Sequence, residues 1–212
     1  MKIELPKLYP ITDRRLSGLS HAEQVARLCE GGARLIQLRE KYLSPKEFYR
    51  EAEEALRVAR ACGARLVIND RADMALALGA DGVHLGQDDL PPSAARALLG
   101  EDAIIGFSTH GVGQALEAAR LPVDYVAIGP VFATTSKENP DPVVGLEGVR
   151  GVREGLPASL AVVAIGGITH ERAGAVVRAG ADSVAVIGAL LTPGAPERIT
   201  ARTRELLAAL GG

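Results

Sequence analysis

The stretch that decides the fold is RLVINDRADMALALGADGVHLGQDD, residues 65–89. Two short apolar runs flank a helical segment that ends at Gly79. Strand, helix and strand in succession predict two parallel neighbours joined by a crossover, with their carboxyl ends on one side of the sheet. Asp70 and Asp89, which follow the two runs, then face each other across a crevice. Because acids at strand ends also form turns and helix caps, the rest of the chain must distinguish a site from a turn.

One phrase, Gly-Ala followed by Arg or Asp, precedes an apolar run four times, beginning at Gly32, Gly63, Gly79 and Gly180. A glycine at this place is typical of a helix C-terminus, because glycine readily adopts the left-handed conformation. Helix starts are also marked: residues 20–23 and 44–47 each place a Ser three residues before a Glu, which predicts a capping box. The pattern is therefore helix, glycine cap and strand, repeated.

Eight apolar runs are predicted as strands: Leu8–Thr12, Leu35–Arg39, Leu66–Asp70, Gly82–Leu85, Ile104–Ser108, Tyr125–Gly129, Val162–Gly166 and Ser183–Gly188. They are apolar throughout, as in a parallel sheet buried on both faces. Eight such strands alternating with helices predict an α/β fold, a (β/α)8 TIM barrel, in one domain over residues 1–212. The alternative is an open doubly wound sheet, but no G-x-G-x-x-G follows the first strand.

Composition excludes several classes of function. The chain has 212 residues, a net charge of −2 and no basic stripe, so it does not favour nucleic-acid binding. No apolar run is long enough to cross a membrane, and the N-terminus lacks the apolar core of a signal peptide. Cys29 and Cys62 are expected to be buried free thiols in helices. We expect a cytoplasmic protein, and the sequence leaves a homo-oligomer open.

Polar residues follow nearly every predicted strand. Arg39, Lys41 and Lys137 supply positive charge, while Asp70 and Asp89 offer oxygen ligands for a hard cation such as Mg2+. This combination suits a diphosphate that leaves as an anion. Glycines at the ends of the last two strands suit a second phosphate, although a glycine pair also makes a plain tight turn. The rim therefore predicts two phosphorylated substrates that are joined with loss of pyrophosphate.

The four histidines form no metal cluster. His21 and His170 fall in first helical turns and are expected to be solvated, whereas His84 lies within a strand and is expected to pack in the core. His110 lies near the rim and is the one histidine worth testing. Because no nucleophile pairs with a histidine in the sequence pattern, a hydrolase is disfavoured.

The order of motifs resembles the thiamine-phosphate synthase family over nearly the whole chain: QLREK (37–41), IND (68–70), HLGQDD (84–89), GPVFATTSK (129–137), AIGGI (164–168) and the final VAVIGA. This resemblance implies a transferase on a barrel with Mg2+. It would join a hydroxymethylpyrimidine diphosphate to a thiazole phosphate, giving thiamine phosphate and pyrophosphate. The aminopyrimidine would stabilise a carbocation-like methylene that the thiazole nitrogen captures, so no protein nucleophile is needed.

The resemblance also implies roles for single residues. The pyrimidine diphosphate would be contacted by Gln37, Arg39, Lys41, Asn69, Ser108 and Lys137, and the Mg2+ by Asp70 and Asp89. The thiazole phosphate would be bound by Thr134, Ser136, Gly167, Ile187 and Gly188. The substrate-binding set also includes Leu38, Glu40 and Thr135 within the same motifs, and the predicted catalytic residues are Arg39, Lys41, Ser108 and Lys137.

Two positions depart from the family pattern. Ser136 replaces a second Thr, and Gly188 stands where many relatives have Ser, so one contact to the thiazole phosphate is lost or passes to the backbone. Two alternatives remain. A thiazole tautomerase of the same scaffold would carry His where this chain has Pro130, and a non-catalytic relative would lack Lys137 or the acid pair. The oligomeric state, the preferred metal, the thiazole tautomer and closure of the loop after Gly129 stay open.

Overall fold

Eight parallel strands close into a barrel, as the apolar runs predict. The computed structural model describes residues 4–134, 141–192 and 194–211. Strand order follows the chain, and β1 pairs with β8 to close the ring. The strands are β1 (Leu8–Thr12), β2 (Leu35–Leu38), β3 (Arg65–Asn69), β4 (Gly82–Leu85), β5 (Ile104–Thr109), β6 (Tyr125–Ile128), β7 (Ala161–Ile165) and β8 (Ser183–Val186). Each predicted boundary agrees within two residues.

Every strand is followed by at least one helix, so the chain alternates as expected for this barrel. The helices are α1 (Arg14–Ser17), α2 (His21–Glu30), α3 (Pro45–Ala61), α4 (Ala72–Leu78), α5 (Pro92–Leu99), α6 (Val112–Ala118), α7 (Gly145–Gly155), α8 (His170–Arg178) and α9 (Ile199–Ala209), which a 3-10 turn (Pro196–Arg198) precedes. None of the helices in the described ranges is long and apolar enough to cross a bilayer.

The predicted helix boundaries are marked by the residues that the sequence singled out. Ser20 and Ser44 each form a complete capping box with the Glu three residues later, at the starts of α2 and α3. The four glycines of the recurring phrase all have positive φ, between 60° and 113°. Local backbone preferences therefore decide where these helices begin and end.

The hydrophobic core has two shells. The inner shell fills the barrel with alternate strand residues, among them Tyr9 and Tyr125, and the outer shell lies between strands and helices. Space for Tyr125 depends on Gly106: a Cβ built on Gly106 would lie 2.0 Å from the Tyr125 ring. A chain with few aromatic residues thus places two of its four tyrosines at the centre of the barrel.

At the N-terminal end of the barrel, three aspartates repeat one contact. Asp81, Asp124 and Asp182 each precede a strand or lie at its start. Through Oδ2 they accept the backbone N–H of Leu66, Ile105 and Val162 at 2.7, 2.7 and 2.9 Å. These carboxylates tie the starts of neighbouring strands together, which explains the Asp of the recurring phrase as a structural feature.

Two predictions about burial are wrong. His21 is fully buried rather than solvated, because its ring bonds to Thr12 and Glu40 between α2 and the strand ends. Cys62 is exposed rather than buried, because it lies one residue beyond the end of α3, while Cys29 is buried as expected. His170 is exposed and His84 is buried, as predicted.

Candidate active site

The carboxyl ends of all eight strands lie at one end of the barrel, since every strand pair is parallel. This arrangement brings the predicted residues of the first five strands to a common mouth. A cavity of about 280 Å³ opens there between the segments that follow β1 and β2. Its lining carries four cationic side chains and two carboxylates, which leaves an excess of two positive charges: Arg14, Arg15, Arg39 and Lys41 against Asp13 and Glu40. The mouth is therefore suited to an anionic ligand.

Both predicted cations of the QLREK motif are ion-paired. The ammonium group of Lys41 pairs with Asp70, which follows the neighbouring strand. The Arg39 guanidinium donates to Asp13 at 2.9 Å, and Asp13 also caps α1 by accepting from the N–H groups of residues 15 and 16. Asp13 was not singled out in the sequence, because it reads as an ordinary helix cap. Each cation is thus held in place by a carboxylate at the rim.

Asp70 and Asp89 lie together, as the opening stretch predicts. Asp70 has a positive φ of 65°, a left-handed conformation that Asp and Asn tolerate better than most residues. Asp89 Oδ2 accepts the Gly86 N–H at 2.7 Å. Burial raises the pKa of the Asp89 carboxyl, and the neighbouring Asp70 raises it further by its charge and by a hydrogen bond. Two carboxyl groups in contact form a place where a cation is favoured.

Two members of the QLREK motif contact mainly the protein. Leu38 is fully buried in the outer core, so only its backbone is left for a ligand. The Glu40 side chain is 5 % exposed and accepts hydrogen bonds from the His21 ring and from the N–H groups of Tyr42 and Leu43. Burial opposes its ionisation, but these bonds outweigh burial and lower the pKa of Glu40 to about 2. Glu40 thereby fixes the segment after β2.

Gln37, Asn69 and Ser108 lie on β2, β3 and β5 at the mouth, and the first two are buried. Ser108 Oγ lies 2.9 Å from His84 Nε2, so the structure contains a serine–histidine contact that the sequence pattern did not predict. Burial lowers the pKa of His84 to about 4. Its other ring nitrogen faces the hydroxyl of Tyr125, not a carboxylate. This imidazole is too weak a base to activate a serine nucleophile.

The segments after β6 and β7 pack closely together. The N–H of Phe132 donates to the carbonyl of Gly166 at 3.0 Å, and a Cβ built on Gly167 would lie 2.4 Å from the Ala133 carbonyl oxygen. Gly166 and Gly167 have φ values of 100° and 62°. Thr134 follows on the same segment and is half-buried. Packing and conformation thus both require the glycine pair here.

Three of the predicted site residues lie outside the described residues: Thr135, Ser136 and Lys137. Ile187 and Gly188 form the turn after β8, where the N–H groups of Leu190 and Leu191 donate to the Ile187 carbonyl at 3.1 and 2.9 Å.

The connection from β6 to α7 is long, as expected, since α7 begins at Gly145. His110 Nδ1 lies 2.9 Å from the Gly129 carbonyl at the start of that connection and 3.4 Å from Asp141 near its end.

The acid pair is the candidate metal centre. Within residues 4–134, 141–192 and 194–211, no group of three or more His, Cys, Asp or Glu side chains is arranged to hold an ion. Two oxygen donors are nevertheless a normal protein contribution to Mg2+, which keeps several waters and takes further ligands from substrate phosphates. The donor chemistry of Asp70 and Asp89 therefore fits Mg2+ bound together with a diphosphate.

The chain is similar to known proteins over most of its length. A family model described as thiamine monophosphate synthase matches residues 8–190. A thiamine-phosphate synthase of Chloroflexus aurantiacus is 43% identical over 203 residues, which cover 95% of this chain and 91% of that protein. One from Koribacter versatilis is 47% identical over 196 residues, 89% and 90% of the two chains. A solved thiamine phosphate pyrophosphorylase of Pyrococcus furiosus matches with a TM-score of 0.84 and 37% identity, covering 97% of both chains.

Proposed function

The chain belongs to the thiamine monophosphate synthase family, and we propose that it condenses a hydroxymethylpyrimidine diphosphate with a thiazole phosphate to give thiamine phosphate and pyrophosphate. The observation that carries this proposal is the cluster of Lys41, Asp70 and Asp89 at the ends of three neighbouring strands. A cation next to two touching carboxylates suits a ligand that combines a metal ion with an anionic group. A diphosphate with Mg2+ has that chemistry.

In the proposed reaction, the bond between the pyrimidine methylene and the diphosphate oxygen breaks, and its electron pair leaves with the diphosphate. The thiazole nitrogen then forms the new carbon–nitrogen bond with its own electron pair. We propose that Lys41 and Arg39 balance the negative charge that gathers on the leaving group, the contribution that a preorganised site makes most strongly. We propose Lys137 for the same role, from its motif.

Mg2+ is proposed as the cofactor, with Asp70 and Asp89 as its protein ligands. When bound, it would supply a Lewis acid that neutralises charge on the diphosphate. Asp89 commits one oxygen to the Gly86 N–H, which fixes the carboxyl group beside Asp70. Asp70 also pairs with Lys41, so this carboxylate would serve both the ammonium group and the ion.

We propose the remaining site residues in the same order as the motifs. Gln37, Leu38 (through its backbone), Glu40, Asn69 and Ser108 belong to the pyrimidine half of the site. The thiazole phosphate is assigned to Thr134, Thr135, Ser136, Gly167, Ile187 and Gly188. The N–H groups of the tight turns after β7 and β8, where a side chain at Gly167 has no room, support a phosphate at this side of the mouth.

We also propose that residues 1–212 work as one domain in the cytoplasm. Two thiols without a disulfide suit a reducing compartment.

One assay tests the reaction. The purified chain is mixed with both substrates and Mg2+, and thiamine phosphate and pyrophosphate are measured together. Equal amounts of both products are expected, with none when Mg2+ is chelated. A change in the thiazole substrate alone would identify a tautomerase, and tight binding without turnover would identify a non-catalytic relative; either result contradicts the proposal.

A further inference from the structure

A continuous chain of hydrogen-bonded side chains crosses the interior of the barrel beneath the mouth. Gln37 Nε2 lies 3.3 Å from the Tyr9 hydroxyl, which lies 3.1 Å from the Tyr125 hydroxyl. The Tyr125 hydroxyl is 2.9 Å from His84 Nδ1, and His84 Nε2 is 2.9 Å from Ser108 Oγ. Both ends of this chain are residues of the proposed pyrimidine site. The three residues between them belong to none of the motif roles described above.

These hydrogen-bonded side chains are buried in the barrel interior, a place that apolar side chains usually occupy. Tyr9 and Tyr125 are at most 1 % exposed and His84 is 8 % exposed. The Tyr125 ring lies nearly parallel to the His84 ring, with centroids 5.6 Å apart, and edge-on to Tyr9. Buried polar groups are costly unless they are hydrogen-bonded, and here every link of the chain is made. Such a fully paired network holds its members in one arrangement.

The direction of the hydrogen bonds follows from the donor at one end. Gln37 Nε2 can only donate, so the Tyr9 oxygen accepts, and the single hydrogen of the Tyr9 hydroxyl goes on to Tyr125. The Tyr125 hydroxyl then donates to His84 Nδ1. His84 must carry its proton on Nε2, because a neutral imidazole has one donor and one acceptor nitrogen. That proton is donated to Ser108 Oγ.

Ser108 consequently accepts from the protein and keeps its own hydrogen for something else. Among the described residues, the Ser108 hydroxyl contacts His84, while the Ser108 carbonyl accepts from the Gln87 side-chain amide. The side chain is half-buried at the end of β5. A ligand in the mouth is therefore offered the Ser108 hydrogen as a hydrogen-bond donor at this point.

We propose that His84 is a positioning residue that holds Ser108 as a hydrogen-bond donor to a lone pair of the pyrimidine ring, through the chain from Gln37 by way of Tyr9 and Tyr125. The inference rests on the proposed function in so far as Ser108 contacts the pyrimidine substrate. His84 touches no substrate in this role and transfers no proton. The hydrogen-bonded network instead favours a heteroaromatic ring that turns an acceptor towards the Ser108 hydrogen.

The direction of the hydrogen bonds is tested on the free protein, without any enzymatic reaction. Nitrogen NMR of the ring of His84 in the free wild-type protein, at neutral pH, identifies its tautomer. A proton on Nε2 is expected, and a proton on Nδ1 would overturn the inference because the chain would then run from Ser108 towards Gln37.

The effect on substrate is tested with Tyr125→Phe, which removes one link and keeps the ring. We expect kcat/KM for the pyrimidine diphosphate to fall about tenfold, the worth of one good hydrogen bond. The KM for the thiazole phosphate should change less than about twofold on the same grounds, since that substrate makes no such bond. Tyr9→Phe breaks the chain one link earlier and serves if Tyr125→Phe does not fold.

A double-mutant cycle separates positioning from a structural effect. In a Ser108→Ala background there is no Ser108 hydroxyl left to position. Adding Tyr125→Phe should then lower kcat/KM for the pyrimidine diphosphate by less than about twofold. The same tenfold loss in both backgrounds would overturn the inference. Thr203→Val is the matched control: it removes a buried hydroxyl that bonds within α9 at 2.7 Å, and it should leave both KM values unchanged. A wild-type protein without synthase activity would contradict the proposed function. The tautomer of His84 would still decide the direction of the hydrogen bonds.

Discussion

The ammonium group of Lys41 is paired with the carboxylate of Asp70 between the ends of two neighbouring strands, and Asp70 in turn contacts Asp89. A cation, a shared carboxylate and a second carboxyl group, whose pKa is raised by burial and by Asp70, thus lie in sequence along the rim. The Lys41 ammonium group offsets the charge of the Asp70 carboxylate in the free protein. The arrangement also leaves oxygen donors and an ammonium group ready for a ligand that carries both signs of charge.

Asp70 offers a test of the metal site that keeps the backbone intact. Asp70→Asn should preserve stability within about 0.5 kcal/mol, because Asn also tolerates the left-handed conformation at φ 65°. Mg2+-dependent turnover should fall by about 100-fold or more, since the charged ligand is lost. Asp70→Ala should lose a further ~1 kcal/mol of stability through the backbone. Urea unfolding, kinetics and Mg2+ titration measure these effects; unchanged Mg2+ affinity in Asp70→Asn would contradict the assignment.

Glu40 gives a pH-dependent stability. Its pKa is lowered from 4.5 to about 2 in the folded protein, so the folded state favours the ionised form. Its stabilisation is therefore complete above pH 4.5 and is lost as the pH falls towards 2. Glu40→Gln should lower the free energy of unfolding by about 1–3 kcal/mol at pH 7, and the difference from wild type should shrink as the solution is acidified. Thermal melts across this range, with the exposed Glu54→Gln as control, measure it; a constant difference would refute the mechanism.

Gly167 is predicted to be restricted by space as well as by conformation. Gly167→Ala should cost about 2–4 kcal/mol, of which ~1 comes from the positive φ and the rest from the contact with the Ala133 carbonyl. Gly63→Ala is the matched control, with φ 67° and nothing within 4 Å of the added Cβ, and should cost only ~1 kcal/mol. Chemical denaturation compares the two variants. Equal losses would show that space is not limiting, and the KM for the thiazole phosphate should rise in Gly167→Ala alone.

Asp182 is predicted to act on stability without acting on catalysis. Asp182→Ala removes the acceptor of the Val162 N–H and the partner of Arg153 at the N-terminal end of the barrel. We expect a loss of about 1–3 kcal/mol in the free energy of unfolding, because a buried strand N–H is left unpaired. The kcat of the folded enzyme should stay within about twofold of wild type, since that end is remote from the chemistry. Asp102→Ala, at an exposed position, is the control.

Lys137 is predicted to act on catalysis without acting on stability. Lys137→Ala should lower kcat by about 100-fold or more, because a charge that balances the leaving diphosphate is removed. Stability should change by less than about 0.5 kcal/mol, because the role proposed for Lys137 lies in catalysis and not in folding. Full activity in this variant would count against the proposed role, and calorimetry on the same samples provides the stability.

The sequence alone determined the barrel and the end of it that carries the candidate site. Capping boxes at Ser20 and Ser44, left-handed glycines and short apolar runs act over a few residues, and each fixes one boundary of the alternating pattern. Parallel strands then bring Lys41, Asp70 and Asp89 to one mouth without further information.

The tertiary structure decided which polar groups meet inside the closed ring. Tyr9 and Tyr125 are 116 residues apart in the chain, and Ser108 is 24 residues from His84. Their contacts depend on the register of several strands at once, to which no local signal contributes. The same holds for His21, which reads as a solvated first-turn residue until α2 packs it against Thr12 and Glu40. Short-range backbone preferences specify elements, whereas the pairing of side chains across a barrel is set only when the barrel closes.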